Sequence, residues 1–345
     1  MNEKIYAAFE ELFYTTKLSY DSFREKNFLV TGATGLIGRM LIRGLCIINK
    51  KYNLNLQILA VVRDKEKISE IFSPEIQKGY VRPIVSDIKE KIDVDEKIDY
   101  IIHGASITES RAFIEKPVEV IMTNVCGTYA VMNLAQEKKV LSVVYLSTME
   151  VYGFTETEEV LTEDRSEYLN PLEVRSCYPE SKRMAESLCI SYFNEYHVPV
   201  KIVRLAQTFG YGVSLNDNRV FAEFARCVKS NKDIILLTEG KSKRMYLDTM
   251  DAVTAILTVL LKGSNGTAYN AANKNTYCSI KEMAQMVCRD IAGRKIKVLV
   301  RQNEDDSKKY SPPHRLLLDT SKLEALEWEP KVGLLEMYQR LLTMT

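Results

Sequence analysis

The sequence predicts an α/β fold, a doubly wound parallel sheet joined to a smaller C-terminal α+β domain that would bind substrate. Three observations carry the prediction. Short β-rich apolar runs alternate with longer helical patterns, a glycine-spaced turn follows the first run, and the pattern changes to short elements and loops after residue 205.

In chain order, Ile5, Ala8, Phe9, Leu12 and Phe13 recur at helical spacing, so residues 1–26 are read as a helical extension packed on the body. The strands follow as NFLVT (27–31), LQILAVV (56–62), YVRPIV (80–85), DYIIHGA (99–105), SVVYLS (142–147) and VPVKIVRL (198–205), with helices at 35–49, about 118–138 and 178–196 between them. TAYNAA (267–272) reads as one more strand returning to the sheet. The loops GYGVSLNDNR, TEGKSKR and NEDDSKKYSPP mark the second half.

Composition bounds the partners. The chain has 345 residues, 46% hydrophobic and 27% charged, with a net charge of +1. That balance carries no electrostatic footprint for nucleic acid or an anionic membrane, and the expected partner is small. No run reaches the roughly 18 apolar residues of a membrane span, and the N-terminus lacks a basic segment leading into an apolar one. A cytoplasmic location is expected. The seven cysteines have no metal-ligand spacing and read as reduced thiols; His103, His197 and His314 share none either, so no metal site is expected. Trp328 in LEWEP reads as a packing anchor for the C-terminal domain.

LVTGATGLIGRML (29–41) sets Gly32, Gly35 and Gly38 directly after a strand and at a helix start. Glycines there let the backbone turn tightly and approach a pyrophosphate lying on the positive helix N-terminus, the Rossmann arrangement for a dinucleotide. At the end of the second strand an acid accepts from the ribose of NAD, whereas an arginine receives the 2′-phosphate of NADP. AVVRDKEK places Arg63 where the acid is expected and Asp64 next to it, leaving NAD and NADP both open. Asp87, ending the third strand, is placed to accept from an adenine amino group.

SCYPESK (176–182) sets Tyr178 four positions ahead of Lys182. On a helix these side chains lie one above the other, so Lys182 is expected to hold its ammonium near the Tyr178 phenol and lower its pKa. YLSTMEVYG (145–153) ends a strand in Ser147 and Thr148, at the carboxyl edge where ligands bind in such sheets. A hydroxyl there can meet the tyrosine of the next helix.

With these motifs in place the chain resembles the extended short-chain dehydrogenase/reductases of the NAD-dependent epimerase/dehydratase type that act on nucleotide sugars. The likeness runs from TGATGLIG through HGAS (103–106), TNVCGT (123–128), STMEVYG and YPESK to LEWEPKVGLLE (326–336), and within the family it is closest to UDP-glucuronate decarboxylases. The resemblance implies Tyr178 as base, Lys182 as its activator and ribose ligand, Thr148 as the hydroxyl partner and Glu150 as a second acid/base. It implies cofactor contacts at Gly32, Thr34, Gly35, Leu36, Ile37, Gly38, Arg63, Asp87, Ile88, Ala105, Ser106, Asn124 and Ser147, besides Tyr178 and Lys182. For the substrate it implies Arg111, Gln207, Asn218, Arg219, Val220 and Arg244. It further implies a division into an NAD(P)-binding Rossmann domain (27–205, with about 245–275 returning) and a nucleotide-sugar domain (206–244 and 276–345), and a homodimer through helices near 118–138 and 178–196.

Departures from the family pattern matter. Met149 stands where dehydratases carry an acid and has no proton to give, which puts 4,6-dehydration last. ITESRAFIEKP lacks the tyrosines and prolines by which decarboxylases resemble one another, and Gln207 stands where an asparagine is usual. The expected activity is redox-neutral chemistry on a UDP-linked sugar through a transient 4-keto sugar, decarboxylation first. The alternatives are C4 or C5 epimerisation and NADPH-dependent reduction of a nucleotide-linked keto sugar.

Overall fold

The computed structural model describes residues 3–16, 18–155, 157–301 and 314–343; the loop expected at 303–313 lies outside the described residues. Its centre is a seven-stranded sheet in the order Ala268–Ala271, Val200–Leu205, Ser142–Thr148, Tyr100–His103, Asn27–Thr31, Gln57–Val62, Val81–Val85. Every pairing is parallel. All seven strands expected from sequence are present. The chain moves outward from Asn27–Thr31 to Val81–Val85, then returns through Tyr100–His103 to the opposite edge, so the strand order reverses beside Asn27–Thr31. That reversal opens a crevice at the carboxyl edge of the sheet.

Successive strand residues face opposite sides, and each side has its own core. Phe28, Val30, Ile58, Val144 and Val203 pack on helices Leu36–Tyr52 and Thr249–Lys262. Leu29, Leu59, Ile101, Val143 and Ile202 pack on Pro117–Lys138 and Cys177–Tyr196. The helix Thr249–Lys262 had no amphipathic signal because every residue from Thr249 to Leu260 is buried, so no polar stripe interrupts it. Glu3–Thr15 docks on the first of these layers: Phe9 and Phe13 stack at 5.5 Å, and a Cβ at Gly44 would come within 2.9 Å of the Phe13 ring.

A second sheet orders Asn273–Ser279, Lys243–Asp248, Arg315–Leu318 and Val160–Leu161, with Gln207–Phe209 also paired to Lys243–Asp248. A third core of Phe209, Phe221, Phe224, Tyr246 and Tyr338 lies beneath it. Trp328 anchors elsewhere than expected: its Nε1 donates to Thr254 Oγ1 at 3.0 Å and its ring joins the core of the large sheet. Among the described residues no helix is long and apolar enough to cross a membrane.

The start of the Thr249–Lys262 helix holds two buried carboxylates against one guanidinium. Asp248 Oδ1 accepts from Arg340 Nη1 at 2.9 Å, and Asp251 Oδ2 accepts the backbone amides of Lys331 and Val332 at 3.0 Å. Burial, and then the charge of Asp248, push the Asp251 carboxyl up to about 7. A carboxyl whose folded pKa lies above its unfolded one binds its proton more tightly in the fold. Its penalty is therefore absent at acid pH and grows as pH rises from the ordinary aspartate value of 3.8 through about 7. Chemical denaturation of Asp251→Asn and the parent at pH 5 and pH 8 should show the parent losing on the order of 2 kcal/mol more over that rise; equal losses would contradict the assignment.

Candidate active site

The crevice begins at the glycine turn. Gly32 sits at φ +70°, and a Cβ there would fall 2.6 Å from the Gly104 carbonyl oxygen, so only glycine seats this turn against the neighbouring strand end. A Cβ at Gly38 would meet the Gly32 carbonyl at 2.2 Å, which is why the helix can start directly on the strand. Thr31 Oγ1 accepts the amides of Gly104 and Ala105, each at 3.1 Å, so its proton goes to His103 Nδ1 at 2.7 Å. The other ring nitrogen of His103 then donates to Thr128 at 3.1 Å, whose hydroxyl donates to the Asn124 carbonyl at 2.6 Å. Burial pulls His103 down to about 3, consistent with a neutral ring in this chain. The start of the Leu36–Tyr52 helix, with no side-chain cap on its backbone amides, lines the crevice, an arrangement that fits a phosphate.

The candidate acid–base groups gather at the end of the strand Ser142–Thr148. The Tyr178 phenol is buried and stacked on Phe113 at 4.5 Å, and the Thr148 hydroxyl, which accepts from the Glu150 amide at 3.2 Å, acts on it to lower its pKa. Lys182 does not act as expected. Its ammonium donates to the Leu146 carbonyl at 2.8 Å and the Tyr145 hydroxyl at 3.1 Å, and lies 4.6 Å from the Tyr145 ring centroid. The strand end captures it, so the i,i+4 spacing does not put it in control of the phenol. Burial, and then the charge of Glu150, push Tyr178 above the ordinary tyrosine range, while Thr148 and Arg219 act in the opposite sense. Burial pulls Lys182 down to about 8 against the pull of Glu186. Ser147 donates to Glu186 at 2.5 Å, and Glu186 pairs with Arg204 at 2.7 Å, which locks the helix to the sheet.

Across a cavity of about 1300 Å³ lies a basic wall. Arg244 donates to Gln207 Oε1 at 3.1 Å and to His314 Nε2 at 3.0 Å, while its Nε is buried with no hydrogen-bond partner among the described residues. An orphaned charged donor beside a cavity fits an anionic ligand. Arg219 is held by Asp217 at 2.6 Å and lies over the Phe221 ring, with Asn218 and Val220 beside it on the cavity wall.

The structure therefore brings Gly32, Gly35, Leu36, Ile37, Gly38 and Ser106 to the cavity with Ser147, Thr148, Glu150, Tyr178 and Lys182, and opposite them Gln207, Asn218, Arg219, Val220 and Arg244. It does not bring Arg111, whose exposed guanidinium pairs with Glu115 at 2.6 Å on its own helical turn. Thr34, Arg63, Asp87, Ile88, Ala105 and Asn124 also lie off the cavity lining. Asn124 acts from behind, accepting from Ser106 at 2.7 Å and donating to Ser181 at 2.9 Å. Ile88 is buried under Gly127. Sequence reading missed Tyr145, Phe113, Arg175 and His314; only tertiary placement reveals them.

The model of the NAD dependent epimerase/dehydratase family matches residues 28–272. The chain belongs to that family. Among curated relatives of this enzyme, UDP-glucuronic acid decarboxylase 6 of Arabidopsis thaliana is 29% identical over 311 residues, 89% of this chain and 85% of that protein. UDP-glucuronic acid decarboxylase 1 of Danio rerio is 30% identical over 251 residues, 72% of this chain but 57% of the fish protein, so the enzyme spans little more than half of that relative. The dTDP-D-glucose 4,6-dehydratase of Mus musculus is 28% identical over 321 residues, 89% and 85% of the two chains. Among solved structures, UDP-glucuronic acid 4-epimerase from Bacillus cereus, in complex with UDP-glucuronic acid and NAD, has a TM-score of 0.75 at 20% identity over 92% of this chain and 98% of that one. UDP-glucose 4-epimerase from Thermotoga maritima, with UDP-glucose, has 0.76 at 19% over the same shares. At these identities the structural likeness shows the Rossmann fold, and the family is NAD-dependent.

Because the Glu150 charge raises the Tyr178 pKa, a pH–rate profile governed by the Tyr178 phenol should depend on Glu150. Turnover should rise with pH as the phenol ionises, and the residual activity of Glu150→Gln should show that rise at lower pH. An unmoved limb would contradict the coupling.

Proposed function

We propose that the enzyme carries out redox-neutral chemistry on a UDP-linked sugar through a transient 4-keto sugar, with decarboxylation of UDP-glucuronate as the favoured reaction. The observation that carries this reading is the convergence of Thr148, Glu150 and Tyr178 on one side of the cavity with the buried Arg244 Nε, unpartnered among the described residues, opposite them. Met149, apolar and 3% exposed, supplies no acid for expelling a hydroxyl, which sets 4,6-dehydration aside.

A nicotinamide dinucleotide held along the glycine turn would supply reversible oxidation at the sugar carbon. Tyr178 takes the proton of the C4 hydroxyl, with Thr148 holding the same oxygen. Lys182, fixed by Leu146 and Tyr145, keeps a cationic donor beside the cradle for the ribose hydroxyls. The 4-ketone receives the C5–C6 electron pair as CO2 leaves, and Glu150 delivers a proton to C5 of the resulting enolate. Arg244, steadied by Gln207 and His314, and Arg219, steadied by Asp217, bind the diphosphate. Tyr178 then returns its proton to O4.

A homodimer accompanies this reading. Val118, Met122 and Tyr129 on one helix and Met184 on its neighbour expose an apolar face, 70%, 44%, 55% and 57% accessible respectively. Net reduction of a keto sugar is the second reading, favoured by Arg63 at the end of the second strand.

Purified enzyme mixed with UDP-glucuronate should give a product lighter by one CO2 with no net consumption of dinucleotide. Tyr178→Phe should lower the rate about 1000-fold while UDP-sugar binding persists. An inert UDP-glucuronate together with stoichiometric NADPH consumption on a keto sugar would replace this reading by the reductase.

A further inference from the structure

The carboxyl ends of the second and third strands carry charged groups that the sugar chemistry does not use. Parallel register sets Thr31 beside Val61 and Val62 beside Val85, so Arg63 follows its strand alongside the glycine turn and Asp87 follows the next strand out. In this fold an acid at Arg63's position accepts from ribose hydroxyls, and an arginine there meets a 2′-phosphate.

Two acids close to this position are already committed. Asp64 Oδ1 accepts the amides of Glu66 and Lys67 at 2.9 and 3.0 Å, capping the helix Lys65–Gln77. Asp87 Oδ1 accepts the Lys89 amide at 3.0 Å, and its Oδ2 pairs with the Lys89 ammonium at 3.5 Å. Arg63 is held far more loosely. Its side chain is 70% exposed and reaches Glu119 at 3.9 Å, a surface pair worth little. Glu119 and Asp87 are the acids that face it, and a phosphate dianion outcompetes a single carboxylate for a guanidinium through bidentate, more highly charged contact.

We infer that the ribose end of the cradle is built to receive a 2′-phosphate, so that this chain binds NADP(H) in preference to NAD(H), a departure within an NAD-dependent family. Arg63 is the specificity-determining residue, and Glu119 is a loose competitor that the phosphate displaces. The inference rests on the dinucleotide cradle and is independent of which sugar the enzyme handles.

Calorimetric titration of the purified full chain with NADP⁺, NAD⁺, 2′,5′-ADP and 5′-AMP reads the preference without turnover. Wild type should bind NADP⁺ at least about tenfold more tightly than NAD⁺, and 2′,5′-ADP more tightly than 5′-AMP by a similar factor. Arg63→Gln should abolish both preferences and leave NAD⁺ affinity within about twofold, since Arg63 is exposed and makes no core contact. Glu119→Gln should tighten NADP⁺ alone. Equal or tighter binding of NAD⁺ by wild type, or a preference that survives Arg63→Gln, would overturn the inference. Binding of none of the four ligands would overturn the cradle itself, whereas a clear NADP⁺ preference in an enzyme inert toward UDP-glucuronate would leave this inference standing and remove the sugar reading.

Discussion

The close approach of Gly32 to the Gly104 carbonyl is the constraint on which the site depends. Two adjacent strand ends must come together at the point where the sheet reverses its order, and a side chain on Gly32 would hold them apart. The Thr31 hydroxyl fixes that approach by accepting two backbone amides from the facing loop, and the His103 and Thr128 relay ties it to the Pro117–Lys138 helix. Each bond in the relay is worth only about 1 kcal/mol net, but each group is buried, so leaving one unpaired costs about 1–3 kcal/mol. The crevice is therefore rigid where a phosphate would lie.

Lys182 shows how burial and geometry compete. Taking its ammonium out of water lowers its affinity for a proton, and the Leu146 carbonyl, the Tyr145 ring and the charge of Glu186 restore part of it. The balance leaves the lysine near its titration point close to neutral pH. Tyr178, one turn earlier on the same helix and stacked on Phe113, answers to Glu150 and Thr148 instead. On the proposed reading the two residues divide the work: one would hold a ligand by charge, the other would move a proton.

Much of this was legible in the sequence. Seven β-rich runs named the seven strands because parallel strands buried on both faces leave continuous apolar stretches. The glycine turn was legible because its spacing reflects local geometry, and Thr148, Tyr178 and Lys182, which the family resemblance singled out, all line the one cavity. The Thr249–Lys262 helix was not singled out, since burial all round erases the helical period. Lys182's true partners and the His314 contact on Arg244 arise from residues 36 and 70 positions distant, which no local pattern encodes. Arg111 was misplaced although the signal was present: Glu115 stands four residues on, the spacing at which a helix pairs the two on its surface.

The central claim is that the hydrogen removed from C4 stays in the site and returns to the same sugar. UDP-glucuronate deuterated at C4, turned over by the enzyme and analysed by mass spectrometry and NMR, tests it directly. The account predicts that the decarboxylated product keeps its deuterium at C4 and takes up a solvent proton at C5. Loss of the C4 label, or its appearance in free dinucleotide in solution, would contradict it.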